Sequence, residues 1–137
     1  MSTVLNSIML IDDNKIDNMF HGRAIKKSSA ETDVIVKESA EDALAYLGNC
    51  QEGQLPDIIF LDINMPGMNG WEFIDHYKKL EPEKNKSLVV VMLSQHELGD
   101  ESLKRKTVGI FADFKSKPLN KEIIDDVIQY LKKVRQL

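Results

Sequence analysis

The segment 56–70 limits what this chain can fold into more than any other. It runs Pro56-Asp57-Ile58-Ile59-Phe60-Leu61-Asp62-Ile63-Asn64-Met65-Pro66-Gly67-Met68-Asn69-Gly70. Ile58 to Leu61 is an unbroken, partly β-branched apolar run, and the residues from Pro66 to Gly70 are a dense turn signal. A strand with one wet face alternates polar and apolar residues, whereas a strand covered on both faces reads as a continuous run. The run therefore predicts a central strand of a parallel sheet, with Asp62 at its carboxyl end facing a loop. In open α/β sheets that edge is where ligands bind.

The rest of the chain repeats the pattern. Ile8 to Ile11 is a strand-length apolar run that ends at Asp12-Asp13-Asn14. Ile16, Met19, Phe20 and Ala24 then recur at helical spacing, with Lys26-Lys27 at the end that suits a helix's negative terminus. Val34-Ile35-Val36 is the second strand. Ser39 with Asp42 forms a capping-box-like start, and Ala40, Ala43, Leu44 and Leu47 make an amphipathic stripe. After the loop that ends at Gly70, Gly70, Phe73, Ile74 and Tyr77 predict a third helix that residues 81–86 break. Leu88 to Leu93 is the most strand-like run and ends at Ser94. Residues 97–108 are compatible with helix but weakly periodic, and Gly99 weakens the pattern further. Ile110 to Phe114 predicts a fifth strand that ends near Lys115-Ser116-Lys117-Pro118. Asn120 is placed to cap a last helix carrying Ile123, Ile124, Val127, Ile128, Leu131 and Val134 and expected to reach Leu137. Strands alternating with helices are the mark of βαβ units and a parallel sheet, and right-handed crossovers put helices on both faces. No linker or repeat interrupts the pattern, so one domain over residues 1–137, with a core at about 7–136, is expected.

Charge and composition exclude several classes. A net charge of −4 argues against a nucleic-acid or anionic-membrane binder. The single cysteine, Cys50, permits no internal disulfide and no cysteine-based metal site, and no general base neighbours it. No run approaches the roughly 18 apolar residues of a membrane span, and the polar-leaning lead-in does not read as a secretion signal. A cytoplasmic, soluble chain is expected.

The chemistry lies where the strands end. Asp12-Asp13 follow the first strand, Asp62 the third, Ser94 the fourth, and Lys117 stands just past the fifth. Parallel strands bring all these ends to one edge, so residues distant in sequence share a cleft. Each one alone is an ordinary turn former or cap; their joint occurrence at the same strand end is the signal. Three carboxylates in one cleft repel. A divalent cation relieves them, and oxygen-only ligands without His or Cys nearby favour Mg²⁺ over zinc. A positioned aspartate is a covalent phosphate acceptor, and phosphoryl transfer needs mainly positioning and charge neutralisation. Mg²⁺ and Lys117 would neutralise, and the Ser94 hydroxyl would donate to the phosphoryl group.

With these residues assembled, the chain closely resembles the receiver domains of two-component response regulators over nearly its whole length. That family's pattern is an acidic pair, an aspartate before a Pro-Gly-containing loop, a Ser or Thr, and Lys-Pro, in this order. Here they are Asp12-Asp13, Asp62, Ser94 and Lys117-Pro118. The resemblance implies a flavodoxin-like fold: a doubly wound five-stranded parallel sheet of order 2-1-3-4-5 with five helices. It implies that Asp62 accepts phosphate from a phosphohistidine on a sensor histidine kinase or histidine phosphotransfer protein. Asp13, Asp62 and the backbone carbonyl of Asn64 would bind Mg²⁺, with Asp12 acting through water. Ser94 and Phe114 would form a switch pair that biases a surface made of helix 4, strand 5 and helix 5. Phe114 has an equally plain reading as core and lacks a hydroxyl to hold an inward state. Asn64 and His96 occupy the positions that tune acyl-phosphate lifetime, although an exposed His at a helix start also accounts for His96.

Ile110-Phe111 depart from the Gly-Ala pair common at that place. His21 and His76 read as surface residues with no partner carboxylate, Met65 and Met68 as packing or partner contacts, and Trp71 as a partly buried anchor. The implied protein is a phosphorylation-controlled binding module, not a turnover enzyme, contacting an unidentified downstream protein as a monomer or as a weak homodimer through helix 4, strand 5 and helix 5. The alternatives are a phosphorylation-independent scaffold, a flavin-binding relative, or an Asp-nucleophile phosphatase. Asp12-Asp13-Asn14 would repel a flavin phosphate. Asn64 cannot protonate a leaving group, which counts against the phosphatase.

Overall fold

A computed structural model of the chain describes residues 5–135. The start of the lead-in and the last two residues of the expected final helix lie outside the described residues. Five parallel strands, β1 (Ser7–Ile11), β2 (Asp33–Lys37), β3 (Ile58–Asp62), β4 (Leu88–Leu93) and β5 (Ala112–Ser116), lie in the order β2-β1-β3-β4-β5. The intervening helices are α1 (Lys15–Ser28), α2 (Ala40–Asn49), α3 (Gly70–Tyr77), α4 (Gln95–Leu98) and α5 (Lys121–Arg135). This is the flavodoxin-like arrangement that the family resemblance implies; the alternation of runs by itself predicts the parallel sheet with helices on both faces.

The sheet separates two cores. Met9, Ile11, Ile59, Leu61, Val89 and Val91 face α2 and α3. Ile8, Leu10, Ile58, Phe60, Val90 and Met92 face α1 and α5. The apolar residues expected on α2, α3 and α5 supply most of the matching helix faces, each fully buried aliphatic contributing on the order of 2 kcal/mol. Side chains alternate along a strand. Asp12 and Asp62, each two residues beyond Leu10 and Phe60, therefore turn to the α1–α5 side.

The expected caps form. Ser39 Oγ accepts the Asp42 amide at 3.1 Å, and Asn120 Oδ1 accepts the Ile123 amide at 2.9 Å. Three features differ from the sequence expectation. Helix α1 forms, but its apolar periodicity marks the wrong face. Ile16, Met19 and Phe20 are 63%, 47% and 56% exposed, whereas Asn18 and Ile25 are buried. The inward stripe at 18, 21, 22 and 25 also obeys helical spacing, yet it carries an amide, an imidazole and a glycine. The weakly periodic segment 97–108 is not one helix. Helix α4 stops after one turn at Gly99, and Asp100 caps a separate 3₁₀ segment, Glu101–Thr107. Strand β5 begins two residues late, because Gly109, at φ +97°, and the Ile110 amide bond to the Thr107 carbonyl (3.2 Å) close a turn there.

Candidate functional site

The carboxyl edge of the sheet is built by short-range contacts. In the turn after β1, the Asp12 amide donates to the Lys37 carbonyl (3.1 Å), and Asp12 Oδ1 accepts the Asn14 amide (2.9 Å). Asn14, not the acidic pair, is the N-cap of α1, accepting the amides of Ile16 and Asp17 at 3.0 Å. After β3, Gly67 takes φ +72° behind Pro66, a left-handed conformation that glycine adopts without strain. Helix α3 then starts directly on the end of β3. A Cβ on Gly70 would lie 2.7 Å from Ile63 Cα and 3.0 Å from the Asp62 carbonyl oxygen, so only glycine allows this approach.

Asp62, its side chain 12% exposed, is the centre of the cleft. Its Oδ1 accepts Lys117 Nζ at 2.6 Å and the Asn64 amide at 3.1 Å. The Lys117–Pro118 peptide bond is cis. Carboxylate oxygens of Asp12, Asp13 and Asp62 lie within 4.8 Å of one another. Burial, foremost, pushes Asp12 up to about 6; the Asn14 amide opposes this, and the charges of Asp62, Asp17 and Asp13 add to it. One lysine thus faces three converging carboxylates. The donor set, all oxygen and short of positive charge, fits a hard divalent cation such as Mg²⁺.

The other expected site residues are distributed differently. Ser94 is exposed and is the N-cap of α4. Its Oγ accepts the Glu97 amide at 3.2 Å, while its own amide donates to Glu97 Oε1 at 3.1 Å. The described hydrogen bonds do not join it to Asp62 or Lys117, but its hydroxyl proton is free to be donated. Phe114 lies half-buried on the opposite, α2–α3 side of the sheet. His96 is exposed in the first turn of α4, and Asn64 is exposed with its amide on Asp62. Met65 is buried and Met68 half-buried against the α2–α3 core. Trp71 is half-buried, with Lys106 Nζ 5.5 Å from its ring centroid. Cys50 is buried, its Sγ directed to the Gln54 carbonyl at 3.8 Å.

One histidine does not lie where the sequence suggests. A cavity of about 150 Å³ opens beside Asp62 and Lys117, floored by Leu10, Phe60 and Met92, with Asp17 and His21 on its wall. His21 is half-buried there instead of lying on the surface, and it has acidic neighbours. Burial lowers its proton affinity, and the charges of Asp17 and Asp62 act against that. His76 is exposed, as expected. The signal for His21 was its place with Asp17, four residues apart on one helix face; the outward apolar residues of α1 masked it.

A family model described as the response regulator receiver domain matches residues 8–129. Among solved structures, a two-component response regulator from Cytophaga hutchinsonii is 30% identical. The match covers 95% of this chain and 98% of that one, with a TM-score of 0.78. The response regulator Rcp1 of Synechocystis is 28% identical over 68% of this chain and 65% of its own length. The hybrid signal transduction histidine kinase L of Dictyostelium discoideum is 31% identical over 93% of this chain, which spans only 7% of that kinase.

Proposed function

The chain belongs to the response regulator receiver domain family, and from that membership we propose that Asp62 accepts a phosphoryl group from a phosphohistidine. The observation that carries this reading is the cleft itself. Asp62 is nearly buried, paired with Lys117 at 2.6 Å, and has the carboxylates of Asp12 and Asp13 within 4.8 Å at the carboxyl edge of the sheet. The donor is a sensor histidine kinase or a histidine phosphotransfer protein, and residues 1–137 act as one receiver domain. Family members are signalling proteins, and this one is read as a phosphorylation-controlled binding module. Among the described residues no helix is long and apolar enough to cross a membrane.

Lys117 and the Asn64 amide both hold Oδ1 of Asp62, which leaves Oδ2 as the nucleophile. Oδ2 forms a bond to phosphorus as the donor's N–P bond breaks; the imidazole leaves with that electron pair and takes a proton from solvent. Asp13, Asp62 and the Asn64 carbonyl would hold Mg²⁺, with Asp12 acting through water. The ion's contribution is to neutralise charge between the carboxylates and the phosphoryl oxygens. Lys117 pairs with the new phosphoryl oxygens once the Asp62 charge is consumed. The Ser94 hydroxyl donates to them as well, and Phe114 follows it in switching the surface formed by α4, β5 and α5. Asn64 and His96 border the path of the water that ends the signal. The outward side chains of Ile16, Met19 and Phe20 share α1 with the cleft residues Asp17 and His21, so a protein donor reaching Asp62 would dock on them.

Intact-mass spectrometry after incubation with acetyl phosphate tests the chemistry. A single phosphoryl adduct that requires Mg²⁺ and is absent in Asp62→Asn is expected. An unmodified wild-type chain that binds Mg²⁺ normally would instead favour the phosphorylation-independent scaffold. For the donor surface, Phe20→Ala is expected to slow transfer from the cognate kinase about tenfold while leaving acetyl phosphate labelling unchanged.

A further inference from the structure

Asp13 is exposed, and among the described residues its carboxylate makes no hydrogen bond and no ion pair. Its convergence on Asp12 and Asp62 therefore rests on the backbone that carries it. The orientation of that backbone is set by the peptide plane joining Asp12 to Asp13, whose oxygen is the Asp12 carbonyl. Asn18, one turn into α1, donates from Nδ2 to this oxygen at 2.8 Å. The direction of the amide is fixed by chemistry, since only its NH₂ can meet a carbonyl.

The setting of Asn18 is unusual for a packing residue. It is 5% exposed, on the inward face of a helix that turns Ile16, Met19 and Phe20 outward. Its Oδ1 is buried with no partner. A leucine of nearly the same shape would fill the slot without the unpartnered Oδ1, so packing alone does not explain the amide. Its one side-chain hydrogen bond does. It completes a three-point hold on Asp12, whose amide is bonded to Lys37 and whose Oδ1 is bonded to Asn14.

We propose that Asn18 is a positioning residue for the divalent-cation site: by clamping the Asp12–Asp13 peptide plane from inside α1, it aims the otherwise unrestrained Asp13 carboxylate at Asp62. This rests on the reading of Asp12, Asp13 and Asp62 as the Mg²⁺ site. Supporting contacts of this kind, one bond removed from a ligand, commonly affect metal affinity by about 10- to 100-fold.

The test is calorimetric titration of the intact chain with MgCl₂, for wild type, Asn18→Leu and Asn18→Ala, each with its thermal unfolding midpoint. Asn18→Leu keeps the branched side chain and removes the donor; Asn18→Ala removes both, so the two differ in stability but share the lost clamp. Both are expected to bind Mg²⁺ at least about tenfold more weakly than wild type, whichever way their midpoints move. Wild-type affinity in a folded variant, with only the midpoint changed, would make Asn18 a packing residue and overturn the proposal. Absence of Mg²⁺ binding by wild type would overturn the reading of the acidic site itself, and this inference with it.

Discussion

Two carboxylates bracket the same strand and have opposite fates. Asp57 stands just before β3 and Asp62 ends it. Asp57 Oδ2 accepts the amides of Asn6 (2.7 Å) and Ser7 (3.2 Å), and its Oδ1 accepts Arg135 Nη1 at 2.7 Å. Its own amide and carbonyl bond to Ser7 and Leu88, so one residue ties β1, β3 and β4 to the end of α5. Every acceptor there has a donor. At the other end Asp62 has a lysine, one amide and two neighbouring carboxylates, which leaves acceptors and negative charge in excess. A buried carboxylate matched by donors holds structure together, whereas one with surplus acceptors is poised to take a cation or a phosphoryl group. On the reading proposed for Asp62, the same residue type at the two ends of one strand serves different roles, and the count of donors around it distinguishes them.

The sharpest way to break this contrast is to remove the matched carboxylate. Asp57→Ala strands the Asn6 and Ser7 amides and the Arg135 charge, and should lower stability to urea by about 3 kcal/mol. Where the variant is still folded, Asp62 should label with acetyl phosphate as in wild type. A loss under 1 kcal/mol (roughly a single exposed ion pair) would show that the lower end of β3 is not held through Asp57. Arg135 supplies the gradation. Its side chain is 48% exposed, and its removal leaves both backbone amides on Asp57. Arg135→Ala should therefore cost only about 1 kcal/mol.

Gly70→Ala probes the upper end by shape alone. Alanine gains about 1 kcal/mol of helix propensity over glycine, but its Cβ would meet Ile63 Cδ1 at 2.5 Å and Ile63 Cα at 2.7 Å. A net loss of about 2 kcal/mol is expected, since the contact is largely with backbone. The displaced segment carries Asp62 and Asn64, so labelling should slow as well. Lost stability with unchanged labelling would mean that the loop yields without moving the acceptor.

Much of this was legible in the sequence, for identifiable reasons. Ile58 to Leu61 and Leu88 to Leu93 are covered on both faces, so composition alone marked them as central strands. Asp12, Asp13, Asp62 and Lys117 could be assembled because a parallel sheet gathers strand ends whatever the loops between them. Asp57 left no trace, because its partners are backbone amides and an arginine 78 residues away. The inward face of α1 was hidden for a related reason. Asn18 and His21 are polar residues turned toward the molecule, while Ile16, Met19 and Phe20 imitate a core stripe on the outside. Periodicity fixes that a helix forms; which face turns inward is decided by tertiary contacts that apolar counting does not register.

The last expected effect, as small as that of Arg135→Ala, has the opposite sign and sharpens the contrast most directly. Asp12 titrates near 6 in the folded chain against an ordinary value of 3.8, so between those values the folded state holds a proton that the unfolded state has released. By linkage, stability falls as pH rises through that window, and by pH 7 the ionised carboxylate carries its full penalty. Asp12→Asn abolishes the charge and keeps an oxygen for the Asn14 amide. In chelator-treated protein it should match wild type near pH 4 and exceed it by about 1 kcal/mol at pH 7, after allowance for the half-exposed setting. Added Mg²⁺ should stabilise wild type and close that gap. Paired urea titrations at the two pH values measure it. Removing an acid would thus weaken the fold at the foot of β3 and strengthen it at the carboxyl edge of the sheet, where Asp12 follows β1, the sign expected of a site that keeps its charges for a ligand instead of for the fold. An Asp12→Asn variant less stable than wild type at pH 7 would make Asp12 another matched carboxylate and erase the distinction.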